Sequence, residues 1–388
     1  MTSNLENHLK ELLAVINQTA SLTPEEATSM PPEAFTSPEL LALERERIFS
    51  KEWICVGRTD ELSSPGEYFT TELNNVPIIV VCNEENKFRA MVNVCRHRMT
   101  TLVEGKGKSR LFVCPYHAWS YDNNGKLAKA PGMENSQFDA SKCQLTKLRI
   151  ETWLGFIYVN LDPEAEALAP RLQVLEDLVR NYHVDEMLSV WKKTVYWKTN
   201  WKVLIENFLE SYHIATVHKD TLVPYGGREL VKSVDPSDDY SFYLQGQEKN
   251  EDLYANVISP DILIENPDLG DFERFNTPVG CVFPSQLMSI TWFGVLWLSL
   301  QPVTAGEIRV DWGVLGPVKD LPLNKDSYEE YSFPEWINQV NNEDKPRVEA
   351  VQRGAESGFA ESGPLHSTHE QTVLHFIQYI SRKLTANS

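Results

Sequence analysis

No run of eighteen or more apolar residues occurs in this 388-residue chain, so nothing in it reads as a membrane-spanning helix. Basic tracts are missing too. Lys and Arg number 36 against 55 Asp and Glu, a net charge of −19, which argues against nucleic acid and anionic membrane as partners. The first residues, Met1 to Gln18, lack the basic start and apolar core of a signal peptide and read as a short amphipathic helix, so a cytoplasmic location is expected. Six cysteines in a chain of this size make no disulfide framework. Internal repeats, low-complexity segments and the fingerprints of flavin or nicotinamide binding are also lacking. A chain that needs reducing power must then receive it from another protein. At this length two cores are expected rather than one.

What is present begins with two short pairs, Cys95-Arg96-His97 and Cys114-Pro115-Tyr116-His117, separated by sixteen residues. A tetrahedral zinc is one occupant for two Cys and two His, but zinc fingers usually carry a Cys pair followed by a His pair. Here each loop supplies one of each. That alternation suits a Rieske [2Fe–2S] cluster, with one iron on two thiolates and the other on two neutral imidazoles. Cys55, Cys82, Cys143 and Cys281 share no spacing pattern and read as ordinary thiols.

Ala90 to Val94 and Arg110 to Val113 are short apolar runs of strand character leading into the two pairs. Turn-rich Glu104 to Lys108 and the hairpin signal Asp122-Asn123-Asn124-Gly125 place each pair at a hairpin tip. Tyr68 to Cys82 should supply further strands and Trp153 to Asn160 a closing one, giving a β unit from Trp53 to about Asp162. Trp119 either shields the metal site from water or is simply a core aromatic. Ser21 to Pro38 reads as an extended linker, followed by a packing helix over Pro38 to Phe49.

A second constellation follows Asn200, a plausible N-cap of a helix predicted to run through Tyr212. Glu210 and His213, three apart, share a face. His218 is five further on, about 140° around an ideal helix, so one metal could take both histidines only if the helix ends between them. The β-branched stretch Ile214 to Val217 makes such a break credible. Two His and a distant carboxylate would make the facial triad of a non-haem Fe(II) oxygenase. Asp344 is the best candidate, in a segment from Glu343 to Gly354 predicted to be a helix with Pro346 in its first turn. Glu343 and Glu349 are its rivals. Asn207 is a candidate for hydrogen bonding in the pocket or for helix packing. His366, His369 and His375 read as surface or helix-packing residues.

Three motifs in order resemble a family: Cys-x-His with Cys-x-x-His, the Asn-Trp-Lys…Glu-Asn-Phe-x-Glu-x-Tyr-His-x4-His segment, and Glu-Asp…Val-Glu-x-Val-Gln-Arg-Gly. The chain resembles, over nearly its whole length, the α (oxygenase) subunits of Rieske non-haem iron ring-hydroxylating and demethylating oxygenases. The resemblance implies an α+β fold in which an all-β Rieske domain precedes a helix-grip catalytic domain, an antiparallel sheet with helices. The expected divisions are an N-terminal helical segment over 1–50, the Rieske domain over 51–162 and the catalytic domain over 163–388. Ser241 to Gln245 and Gly294 to Leu300 have suitable strand character, and the Ser362-Gly363-Pro364-Leu365 turn leads to a closing helix through Leu374 and Tyr379.

By the same resemblance Cys95, His97, Cys114 and His117 would hold the cluster, and His213, His218 and Asp344 the mononuclear Fe(II). Glu210 stands where the family usually has an Asp that bridges a cluster histidine of one subunit to an iron histidine of the next. The implied assembly is a homotrimer in which electrons cross through His117, Glu210 of the neighbouring subunit and His213. The implied activity uses O2 and electrons from NAD(P)H, passed through a separate reductase or ferredoxin, to hydroxylate, dihydroxylate or demethylate a small aromatic compound or amine. Two other readings compete: a pure electron carrier, and a zinc-stabilised ligand-binding protein. For a quaternary ammonium, Tyr212, Tyr243, Phe283, Trp292, Phe293 and Trp297 are candidate cage residues.

Overall fold

The computed structural model describes residues 2–134, 137–225, 231–247, 265–317 and 332–385. It divides into two compact units, one of residues 49–168, the other of residues 1–48 together with 169–388.

The unit of residues 49–168 is built on strands β1 (Ile54–Arg58), β2 (Glu67–Leu73), β3 (Val76–Cys82), β4 (Phe88–Val92), β5 (Lys106–Lys108), β6 (Leu111–Val113), β7 (Ser120–Asp122), β8 (Leu127–Lys129), β9 (Lys147–Trp153) and β10 (Phe156–Asn160). Seven form one antiparallel sheet in the order β1-β10-β9-β4-β3-β2-β5, and β6-β7-β8 form a second. The run from Ile78 to Val81 is fully buried, as its unbroken apolar sequence requires. Trp153 to Asn160, expected as one strand, contains a hairpin instead. Leu154 and Gly155 both have positive φ, 48° and 74°, and turn the chain in two residues, pairing Trp153 with Phe156. A two-residue turn with both central φ positive matches the strand twist, and Asn74-Asn75 makes the same turn between β2 and β3.

The other unit has helices α1 (Thr2–Ala20), α2 (Pro38–Glu44), α3 (Leu168–Val179), α4 (Trp201–Phe208), α5 (Ile214–Val217), α6 (Asp271–Phe275), α7 (Phe333–Ala355) and α8 (Gln371–Thr385). Its strands are β11 (Leu188–Trp197), β12 (Val231–Ser233), β13 (Tyr240–Gly246), β14 (Asn276–Val282), β15 (Gln286–Thr291), β16 (Gly294–Thr304) and β17 (Glu307–Gly316). They form one antiparallel sheet in the order β11-β17-β16-β15-β14-β13-β12. Helices α4 and α8 pack on it, and α7 packs on α4. The α+β class expected from the sequence is therefore met, one unit being all-β and the other a sheet covered by helices.

A buried charge cluster anchors α4. Lys202 Nζ donates to Glu44 Oε1 at 2.6 Å and the Trp201 indole donates to Glu44 Oε2 at 2.7 Å, all three residues being inaccessible to solvent. Removing one partner would strand a buried charge at a cost of about 3–5 kcal/mol. The segment from Ser21 to Pro38, expected to be an extended linker, instead contains turns and a 3-10 helix over Pro32–Phe35, and it is anchored. Thr28 bridges Pro364, and Ser29 N–H donates to the Gly363 carbonyl at 2.9 Å. The Ser362–Leu365 segment is thus a pairing partner of the linker rather than a free turn.

Two helix expectations need correction. The helix after Asn200 stops at Phe208 rather than Tyr212, and Ile214 to Val217, expected as the break, is itself a turn of helix. The Glu210 carboxylate accepts the His213 N–H at 3.0 Å, satisfying a donor at the start of that turn, so the break falls before His213. The helix carrying Asp344 begins at Phe333, ten residues ahead of Glu343, with Pro334 in its first turn. Pro346 lies in its interior, where it supplies no N–H to the preceding turn.

Candidate functional site

In the β unit the two Cys/His loops repeat one backbone turn. Cys95 N–H donates to Thr100 O and Met99 N–H donates back to Cys95 O, at 2.8 and 3.0 Å. Cys114 with Trp119 and Ala118 does the same at 2.7 and 3.0 Å. Met99 and Ala118 both adopt the left-handed conformation, φ 58° and 57°. Cys95 and Cys114 are buried in a cluster with Met91, Phe112 and Tyr121, while His97 and His117 are exposed, their ring centroids 4.7 Å apart. Trp119 is buried in the core and stacks on His97 at 5.0 Å. The Tyr121 hydroxyl lies 3.4 Å from Cys95 Sγ and accepts Arg96 N–H at 3.0 Å. Burial, then the hydrogen bond to Cys95, raises the Tyr121 phenol well above its ordinary range. A buried sulfur pair beside an exposed imidazole pair is the donor set of a cluster with two unlike irons, and the residues fit one.

In the larger unit the short helix α5, with His213 at its N-terminal cap and His218 at its C-terminal cap, brings both histidines to Asp344 of α7. One ligand atom from each lies within 4.8 Å of the others. His213 Nε2 is 3.6 Å and His218 Nε2 3.1 Å from Asp344 Oδ1. Each imidazole is held from behind by a different carboxylate. Glu210 Oε1 meets His213 Nδ1 at 2.5 Å, and Glu343 Oε2 meets His218 Nδ1 at 2.7 Å. Protons on both Nδ1 atoms leave both Nε2 lone pairs facing Asp344, the arrangement a metal requires. Burial alone would lower the His218 pKa, but the hydrogen bonds and charges of Asp344, then Glu343, raise it overall. Two imidazoles and one carboxylate on one side of a point fit the facial set of a divalent iron.

Of the rivals for third ligand, Glu343 thus sits behind His218 rather than at the convergence, and Glu349 accepts the Lys198 N–H at 3.1 Å. Asn207 donates from Nδ2 to Asp344 Oδ1 at 3.4 Å, so it touches the candidate metal ligands directly. His375 is buried against Ser241 and, like His366 and His369, is not in the cavity wall; the latter two lie beside Tyr212, His366 exposed and His369 half-buried.

A cavity of about 930 Å³, counting its mouth, opens onto this convergence. Of the six proposed cage aromatics it holds Tyr243 and Phe293; Tyr212, Phe283, Trp292 and Trp297 lie outside its wall. Phe208, Phe333 and Trp336 take their place. Sequence reasoning missed Phe333 and Trp336 because the start of α7 was unrecognised, Pro334 after Ser332 being the available signal, and it placed Phe208 on the helix after Asn200 without assigning it to the cavity. Burial, then the charges of Glu210 and Asp344, holds the Tyr243 hydroxyl far above its ordinary pKa, so it remains a neutral donor beside the site. Trp336 Nε1 donates to the Thr221 carbonyl at 3.2 Å, and Thr221 Oγ1 donates to the Glu343 oxygen that holds His218, at 2.6 Å.

A family model described as ring hydroxylating alpha subunit (catalytic domain) matches residues 182–386, and one described as Rieske [2Fe-2S] domain matches 52–150. The carnitine monooxygenase oxygenase subunit of Escherichia coli strain K12 is 34% identical over 208 residues, 53% of this chain and 56% of that protein. The match thus spans little more than half of that relative. The chloroplastic choline monooxygenase of Amaranthus tricolor is 28% identical over 392 residues, covering 99% of this chain and 84% of the relative. Among solved structures, a quaternary ammonium Rieske monooxygenase described for carnitine oxidation superposes with a TM-score of 0.80 at 23% identity, over 93% of this chain and 96% of the other. Naphthalene 1,2-dioxygenase from Rhodococcus sp. superposes at 0.78 with 19% identity, over 97% and 99%. Likeness at such identities speaks for the fold alone.

Proposed function

Since the chain belongs to the ring-hydroxylating alpha-subunit family and carries a Rieske [2Fe-2S] domain ahead of the catalytic domain, we propose that it is the oxygenase component of a Rieske system that oxidises a small amine with O2. The observation that carries this reading is the convergence of His213, His218 and Asp344 on a cavity walled by aromatic side chains. Cys95, His97, Cys114 and His117 would hold the cluster, and His213, His218 and Asp344 the iron. When bound, the two groups supply electrons and reductive activation of O2.

The protein's own part follows from its geometry. Glu210 and Glu343 keep each imidazole in the Nδ1-protonated form, so no rearrangement is needed for metal binding. Asn207 orients the Asp344 carboxylate. Buried Phe293 and Phe333 keep the cavity dry, and aromatic faces suit a cationic head. Carnitine, choline and glycine betaine appear in the names of its relatives, which favours an amine over an aromatic hydrocarbon.

Electrons would reach the cluster, whose histidines His97 and His117 are exposed, from a separate NAD(P)H-dependent reductase or ferredoxin. Within a homotrimer, His117 of one subunit would reach His213 of the next through Glu210, which already holds His213 Nδ1. No helix of the described residues is long and apolar enough to cross a membrane. A cytoplasmic enzyme is the corresponding proposal.

The test is turnover. Purified protein supplied with NADH and a reductase of this class should consume O2 only with an amine substrate and return an oxidised or demethylated product. Failure to oxidise any amine, with both metal groups present, would overturn the reading.

A further inference from the structure

Trp336 and Glu343 lie two turns apart along one face of α7, and both reach the same residue of another segment. Trp336 Nε1 donates to the Thr221 carbonyl at 3.2 Å, and Thr221 Oγ1 donates to Glu343 Oε2 at 2.6 Å. Helix α7 therefore grips Thr221 by its backbone and its side chain at once. The Glu343 oxygen in that grip is the one that His218 Nδ1 meets at 2.7 Å. Thr221 in turn belongs to a tight turn closed on His218. The N–H groups of Thr221, Leu222 and Val223 donate to the His218 carbonyl at 3.3, 3.0 and 3.1 Å. His218 is thus held by this turn at its backbone, and at its ring by the carboxylate to which the turn is tied.

Parts of the same assembly form the cavity wall. Trp336 and Leu222 line the cavity together with His218 and Asp344, whereas Thr221 is buried behind them. An occupant touching the Trp336 ring would be three hydrogen bonds from the imidazole that is to ligate the metal. Hydrogen bonds to an ionised acceptor are among the stronger ones, and Glu343 Oε2 takes two of them. Loss of the Thr221 hydroxyl leaves that carboxylate freer to turn away from Nδ1. Loss of the indole N–H leaves a buried carbonyl without this donor and loosens the same turn.

We propose that Trp336 and Thr221 are positioning residues for His218, forming with Glu343 a clamp that links the cavity wall to the metal. Metal on His218 fixes the Trp336 ring, and by reciprocity whatever presses on that ring alters the hold on the metal. The inference rests on the iron reading of His213, His218 and Asp344 and adds two residues that touch no metal.

The test uses anaerobic protein with its cluster in place and the mononuclear site emptied by a mild chelator. Fe(II) is titrated back, with the cluster spectrum and Tm as the check on folding. Thr221→Val should bind Fe(II) about tenfold more weakly, Thr221→Ser within about twofold of wild type, and Trp336→Phe, which keeps a ring in the wall, about threefold more weakly. The link itself is read without turnover. In protein labelled with 5-fluorotryptophan, the fluorine resonance that Trp336→Phe removes should shift at saturating Zn(II), a diamagnetic probe, and Thr221→Val should abolish most of that shift. Fe(II) affinity unchanged by both Thr221→Val and Trp336→Phe, Thr221→Ser as weak as Thr221→Val, or a fluorine shift that survives Thr221→Val in full would each overturn the clamp while leaving the iron reading intact. If Thr221→Val does not fold, Trp336→Phe decides, and unchanged affinity there overturns the clamp. Metal uptake by the wild type that Asp344→Ala leaves unaltered would overturn the iron reading and the proposal with it.

Discussion

Glu343 Oε2 lies 2.7 Å from His218 Nδ1, while the residue next to it in the same helix, Asp344, lies 3.1 Å from the other ring nitrogen. One turn of α7 thus fixes both the tautomer of a histidine 125 residues earlier and the direction of its lone pair. Glu343→Ala should weaken iron binding at the mononuclear site by about 10–100-fold while the cluster spectrum is unchanged. Equilibrium titration with Fe(II) measures it; unchanged affinity would show that Thr221 and packing suffice to hold the ring.

Glu210 does the same for His213, but as the proposed electron bridge it has a second duty. Glu210→Gln keeps the length and a hydrogen-bonding oxygen, so iron content should stay close to wild type while reoxidation of the reduced cluster by substrate and O2 slows by orders of magnitude. Stopped-flow absorbance of the cluster reads that rate directly. Iron loss with an unchanged rate per bound iron would make Glu210 a positioning residue alone.

Tyr121 shares its hydroxyl with Cys95 Sγ at 3.4 Å, and hydrogen bonds to cluster sulfurs raise the potential by stabilising the reduced, more negative state. Tyr121→Phe should lower the cluster's midpoint potential by tens of millivolts with no loss of iron or sulfide. An unmoved potential in a spectroelectrochemical titration would remove Tyr121 from that role.

Glu206 on α4 is enclosed so that burial, partly opposed by Lys202 and reinforced by Glu370, pushes its pKa up to about 8. Its Oε1 is shut off from solvent with no hydrogen-bond partner. The folded protein therefore holds this proton more tightly than the unfolded chain. The stability it contributes is complete below the ordinary carboxylate range and is lost as pH rises toward about 8. Gln mimics the protonated acid, so Glu206→Gln should change Tm little at about pH 5 and raise it by several degrees at about pH 8. Equal Tm differences at both pH values would contradict the assignment.

The four proposed cluster residues could be named from the sequence because they sit in two short loops, where spacing alone restricts the options. His213 and His218 were legible in identity but not in local structure. The helix break that brings them together depends on the Glu210 side chain capping the next turn, which propensity at Ile214 to Val217 does not encode. Asp344 was the best candidate for third ligand, with Glu343 and Glu349 as rivals; what separates it from Glu343 is which nitrogen of His218 each one meets. The cavity wall was least legible. Phe208, Phe333 and Trp336 join Tyr243 and Phe293 through packing between α4, α7 and the sheet, whereas Phe283 and Trp297 went to the core by the same packing.

Iron and labile sulfide quantitation on anaerobically purified protein and on its Asp344→Ala variant, with the paramagnetic resonance spectrum of the reduced state, tests the central claim most directly. The expected result is about three irons and two sulfides per chain with a Rieske-type signal, falling in the variant to about two irons with sulfide and signal unchanged. Full iron retention by Asp344→Ala, or stoichiometric zinc without sulfide in the parent protein, would contradict the account.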